Sequence, residues 1–135
     1  MNSDIQKLLL ELDWNNKETH TIAIKELSNR KDYDLKVLIA PLQIDFFERH
    51  NIRWKNVALG CATVISSKSD DEIMSILPDL LIWFQDLNWP GAVEILERLK
   101  KIPYSQIEKH INDSISRARQ EHDEQWIEWL TILKK

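Results

Sequence analysis

Glycine and proline are scarce in this chain of 135 residues, with two of the first and four of the second. Most of the turn chemistry that a many-stranded β fold needs is therefore missing, and helices are favoured before any periodicity is read. Gly60 and Gly91 are the only glycines, and neither stands in the strand–loop–helix setting of a phosphate-cradling loop, which excludes nucleotide binding of that kind. Cysteine is reduced to Cys61, so no internal disulfide can form. Long apolar runs are also absent. The longest, Leu80-Leu81-Ile82-Trp83-Phe84, is far shorter than a bilayer-spanning segment, and no membrane anchor is expected. The opening Met1-Asn2-Ser3-Asp4 has no basic n-region, so a secretion signal is not expected and a cytoplasmic location is. An excess of positive charge is missing too. Eighteen basic against 22 acidic residues give a net charge of −4, a field that repels a phosphate backbone, so nucleic acid is not expected as a direct ligand.

Against these absences stand 43% apolar and 30% charged residues in a length that suits one domain, 1–135, with a core of its own. Tryptophan is abundant, at six residues, and four of them recur: Trp14, Trp54, Trp89 and Trp126 lie 40, 35 and 37 residues apart. Those intervals match the period of HEAT-type helical hairpins, and each tryptophan follows a short polar stretch and introduces an apolar-periodic segment. The spacing predicts an all-α, HEAT-like α-α superhelix of about four hairpins. In it the four tryptophans are structural repeat positions that bury the same inter-helix junction.

The periodicity places helices at 5–12 and 19–27, 35–49 and 54–66, 70–87 and 90–101, and 105–119 and 126–134. Asp70 and Asp71 ahead of Glu72, and Ser105 ahead of Glu108, supply capping chemistry, the latter as a capping box. Pro90 suits a first helical turn, whereas Pro41 and Pro78 fall inside periodic stretches and are expected to kink or split them. Ile107, Ile111, Ile115 and Ala118 share one face of 105–119, with polar residues opposite. The segment 54–66 is apolar nearly all round, which predicts a central helix whose small residues allow close approach. Segments 28–34 and 120–124 read as exposed connections.

Few residues carry chemistry. Cys61 sits on an apolar helix with no charged neighbour to lower its pKa and reads as a buried structural thiol. His20, His50, His110 and His122 show no paired helical spacing, and no metal site or cofactor is expected. Glu121-His122-Asp123-Glu124 surrounds an imidazole with carboxylates, but in an exposed turn it reads as an acidic contact patch. No catalytic set is discernible and an enzyme is not expected.

The segment from Ile76 to Ala92, with Trp83-Phe84-Gln85-Asp86-Leu87-Asn88-Trp89-Pro90 at its centre, closely resembles the signature of a bacterial domain family of unknown function. In that family a leucine-rich helix ends in Trp-Leu-Gln-Asp-x-Asn-Trp-Pro, followed by a second helix and later by an acidic stretch with Trp-x-x-Trp. Here the later element resembles Asp123 to Leu130, with Trp126 and Trp129, and Phe84 replaces the usual leucine. The resemblance covers 70–135. It implies a helical HEAT-like fold and brings no catalytic residues.

Small, acidic, helical proteins of this kind also resemble bacterial immunity proteins. That implies a module that binds and neutralises a cognate toxin domain, such as a nuclease in contact-dependent growth inhibition. The expected contacts are Glu121, Asp123, Glu124 and Glu128, with Asp86, Glu94 and Glu97 as a second patch. The alternative is a scaffold or adaptor for an endogenous protein. A HEAT-like enzyme acting on nucleic acid ranks last, because it would need a basic groove with a placed carboxylate.

Overall fold

The computed structural model describes residues 3–134; Met1 and Asn2, on which the expectation of no secretion signal partly rests, lie outside them. Every regular element among the described residues is helical. The first, α1 (Ser3–Leu10), turns Ile5 and Leu9 inward, and Leu12 just beyond it is fully buried. Helix α2 (Lys17–Asn29) begins two residues earlier than the periodicity suggests. Asn16 provides the cap, its side chain accepting from the Thr19 amide at 3.4 Å.

Pro41 does break its segment. The stretch 35–49 resolves into 3₁₀ turns at Leu35–Leu38 and Ala40–Leu42, followed by α3 (Ile44–Arg49). Pro41 cannot donate to the preceding turn, and the tighter 3₁₀ pattern takes up the interruption. Pro78 acts alike, leaving α5 (Asp70–Met74), α6 (Leu77–Leu80) and a 3₁₀ turn at Leu81–Gln85.

Helix α4 (Trp54–Ser66) has the bounds read from the sequence and occupies the middle of the molecule. Val57, Ala58, Cys61, Ala62, Val64 and Ile65 are closed to solvent, and the helix touches α1, α2, α3, both early 3₁₀ turns and α7 (Ala92–Leu99). Small side chains make that crowding possible. A Cβ at Gly60 would lie 3.2 Å from both the Leu12 and the His20 side chains. Gly91 is more constrained: its φ of +89° is left-handed, and a Cβ there would stand 2.9 Å from the Ala58 carbonyl, Ala62 and Trp83. The turn into α7 can therefore press against α4 only because this residue has no side chain.

The C-terminal hairpin consists of α8 (Tyr104–Gln120) and α9 (Glu124–Ile132), packed face to face. One continuous core runs from Ile5 to Leu133 through all these elements.

Three local expectations need correction. The α5 cap is Ser69, which forms a capping box with Glu72; Asp70 and Asp71 fall inside the first turn. Helix α8 starts at Tyr104 behind Pro103, so Ser105 is already helical and caps nothing. Pro90 precedes α7, and its carbonyl accepts from the Trp83 indole at 3.1 Å.

The recurring tryptophans do not bury one common junction; they occupy three different settings. Trp126 is buried and its indole donates to the Leu81 carbonyl at 3.0 Å. Trp54 and Trp89 meet edge to face with centroids 5.4 Å apart. Trp14 stands 39% exposed in the turn before α2, its amide bonded to the Asn56 carbonyl.

Candidate interaction surface

Two long side chains carry their charge to backbone carbonyls across the fold, Lys68 and Arg98. Lys68, only 4% exposed, sends its ammonium into the open end of α2, where the carbonyls of Leu27, Ser28 and Arg30 accept at 3.0, 3.2 and 2.7 Å. The Tyr33 ring lies 5.3 Å away, and its hydroxyl donates to the same Leu27 carbonyl at 2.6 Å. The last carbonyls of a helix have no partner within it and carry the negative end of the dipole, so a cation is the natural cap. Desolvation pulls the Lys68 ammonium below the ordinary lysine value. Arg98 of α7 serves α4 likewise, donating to the carbonyls of Ser66 at 3.1 Å and Lys68 at 2.9 Å, and pairing with Asp70 at 2.7 Å. Cys61 is fully enclosed, and burial pushes its thiol up to about 12, which leaves it protonated and unreactive at neutral pH. Among the described residues no three His, Cys, Asp or Glu side chains converge on a common point.

The acidic positions singled out from the sequence separate into groups. Glu121 pairs with Arg117 at 2.8 Å, and Asp123 accepts from the Trp126 amide at 3.1 Å as the cap of α9. His122 between them takes a left-handed φ of 58° to make the turn. Glu124 and Glu128, one turn apart on α9, are exposed. Asp86 folds back on its own loop, accepting from the Asn88 amide at 2.8 Å. Glu94 and Glu97 are brought together on the flank of α7 that faces α4. There, with Thr63, Ser66, Val93, Arg98 and Lys101, they line an open groove of about 450 Å³. Val93 in this groove is 50% exposed. Glu97 also lies 3.6 Å from Lys100, a loose contact between exposed side chains.

A second groove escapes the sequence pattern. It holds about 530 Å³ where the end of α7, the start of α8 and the last turn of α9 meet, and Lys100, Lys101 and Tyr104 stand at its rim. Its signal in the sequence is the Lys100-Lys101-Ile102-Pro103-Tyr104 run, a basic pair at a helix end followed by an apolar turn. Adjacency alone does not say which side chains share a concavity with residues 30 positions away.

The fold and these two grooves define an all-helical protein with mixed charge exposed around α7. The chain belongs to the domain family of unknown function DUF5071, whose model matches residues 58–134. The match begins inside α4 and takes in every residue that lines either groove. No curated protein and no solved structure matches the chain. Among the described residues no helix is long and apolar enough to cross a membrane.

Proposed function

We propose that this chain is a cytoplasmic immunity protein, which binds a cognate bacterial toxin domain and covers its active site or its approach to substrate, as in contact-dependent growth inhibition. The observation that carries this reading is the groove between α4 and α7. There a half-exposed Val93 provides an apolar anchor, and Glu94 and Glu97 provide negative charge. Of the two cations in the same lining, Arg98 is engaged with Asp70 and the backbone at the end of α4, which leaves Lys101 to oppose them. Such a face complements the basic surface of a nuclease, the anchor giving contact area and the carboxylates giving orientation. A net charge of −4 adds attraction at longer range. Glu124 and Glu128 offer a further acidic contact on the outer face of α9. Helical pairs stacked in the HEAT manner present their faces as a rigid surface, and occlusion needs shape and charge but no cofactor.

Co-expression with the toxin domain encoded beside its gene tests the proposal. A stoichiometric complex and protected cells are expected, and Glu94→Lys with Glu97→Lys is expected to weaken the complex about tenfold or more, with melting unchanged. A chain that neither binds nor protects would sink the reading and leave the scaffold or adaptor role in its place.

A further inference from the structure

We infer that the groove at the junction of α7, α8 and α9 receives an acidic segment of the partner protein that carries an apolar side chain. This rests on the protein-binding reading above and deepens it by naming a second face and the chemistry it accepts. Core residues at most 4% exposed, Ile102 and Leu133 among them, close the bottom of the groove, and its accessible apolar surface comes from Pro103, Tyr104 and Ile132. The charged residues of the lining are Lys100 and Lys101, and no carboxylate joins them. Lys100 is held only loosely by Glu97, and the Lys101 ammonium has no ion-pair partner among the described residues. Tyr104 adds a hydroxyl able to donate, and burial and the charge of Glu108 one turn on push it above the ordinary tyrosine value.

This rim is locally positive on a chain whose net charge is −4. An inorganic anion would neutralise the lysines and leave the Pro103, Tyr104 and Ile132 surface uncovered. A purely apolar segment would do the reverse, and a basic one would be repelled. An acidic segment with an apolar anchor satisfies both parts of the lining. Lys101 also lines the groove that holds Val93, Glu94 and Glu97, so the two faces are continuous across α7. A partner spanning the helix meets negative charge on one flank and positive charge on the other. That polarity admits one orientation and penalises its reverse.

The test is an amide chemical-shift titration of the full chain at low salt with two synthetic peptides. Both carry a central Leu-Phe, one flanked by glutamates and the other by lysines. The acidic peptide is expected to shift residues around 99–107 and 132–133, and to lose about tenfold or more in affinity with Lys100→Glu and Lys101→Glu together. Both lysines are exposed, so the double variant should keep the parent's cooperative melt, at a midpoint lowered by the carboxylates placed at the negative end of α7. Equal binding of the lysine peptide, shifts centred elsewhere, no binding, or the same shifts with inorganic phosphate alone would each overturn the inference. The toxin co-expression separates the two ideas. A toxin complex without the peptide shifts ends the groove assignment and spares the immunity reading, whereas peptide shifts without a toxin complex do the opposite.

Discussion

At the scale of the residue, the fold depends on a few side chains that reach across long stretches of sequence to satisfy backbone groups. Lys68 is the clearest. Its three acceptors lie 38 to 41 positions away, on the last turn of α2 and the residue that follows the helix. Replacing it as Lys68→Met keeps most of the stem's packing but removes the donor to the half-buried Ser28 and Arg30 carbonyls, while Leu27 keeps the Tyr33 hydroxyl. The expected cost is about 2–4 kcal/mol, read as a lower midpoint in urea unfolding with an unchanged slope. None of this shows in the sequence, where Lys68 stands in the polar stretch Ser66-Ser67-Lys68-Ser69 and looks like an ordinary surface lysine. Cys61 is the opposite case. Its apolar neighbours on a helix already imply an enclosed thiol, because the chemistry that would activate it has to be local.

Among elements, legibility follows the range of the forces involved. Helix α4 has the bounds read from the sequence because its signal, an apolar surface on every side, is continuous along the segment itself. The proline breaks at 41 and 78 were legible for the same reason: a missing N–H acts within one turn. Caps were less so. Ser105 with Glu108 has the spacing of a capping box, but Pro103 lets the helix begin one residue earlier and the box never closes. The entry to α7 is a more sensitive point. Gly91→Ala would have to place a methyl group 2.9 Å from a carbonyl oxygen of α4 while holding a left-handed φ. A loss of about 2 kcal/mol or more is expected from strain and clash together, measurable as a drop in melting temperature.

For the whole molecule, the family match and the folded unit do not coincide. Residues 58–134 carry the match, yet α4 is buried on the side facing α1, α2 and α3 as well as on the side facing α7. A chain beginning at Trp54 would strip α1, α2, α3 and the two early 3₁₀ turns from α4 and deprive Lys68 of its acceptors. Such a truncation is therefore expected to lose cooperative thermal unfolding, or to aggregate, when followed by circular dichroism. An isolated 54–134 segment that melts as sharply as the full chain would contradict this.

What the sequence determined by itself is the class of fold, the central helix, the two proline breaks and the enclosed thiol. Each depends on composition or on neighbours within a turn or two. The acidic residues were also legible as a set, but not their use. Glu121 and Asp123 are engaged in an ion pair and a cap, while Glu94 and Glu97 share a groove. Only the tertiary structure decided those assignments, along with the Lys68 and Arg98 contacts and the basic groove beneath Lys100 and Lys101. The Glu121 and Asp123 contacts span at most four residues and turn on where the helices end, whereas the grooves and the Lys68 and Arg98 contacts share one physical reason. Hydrogen bonds and concavities depend on distances between residues 30 to 45 positions apart, and a one-dimensional pattern carries no record of which helix ends meet. The tryptophan period belongs between the two cases. It marks four helical junctions, but packing alone made one of them a buried hydrogen bond, joined two as an edge-to-face pair and left Trp14 facing solvent.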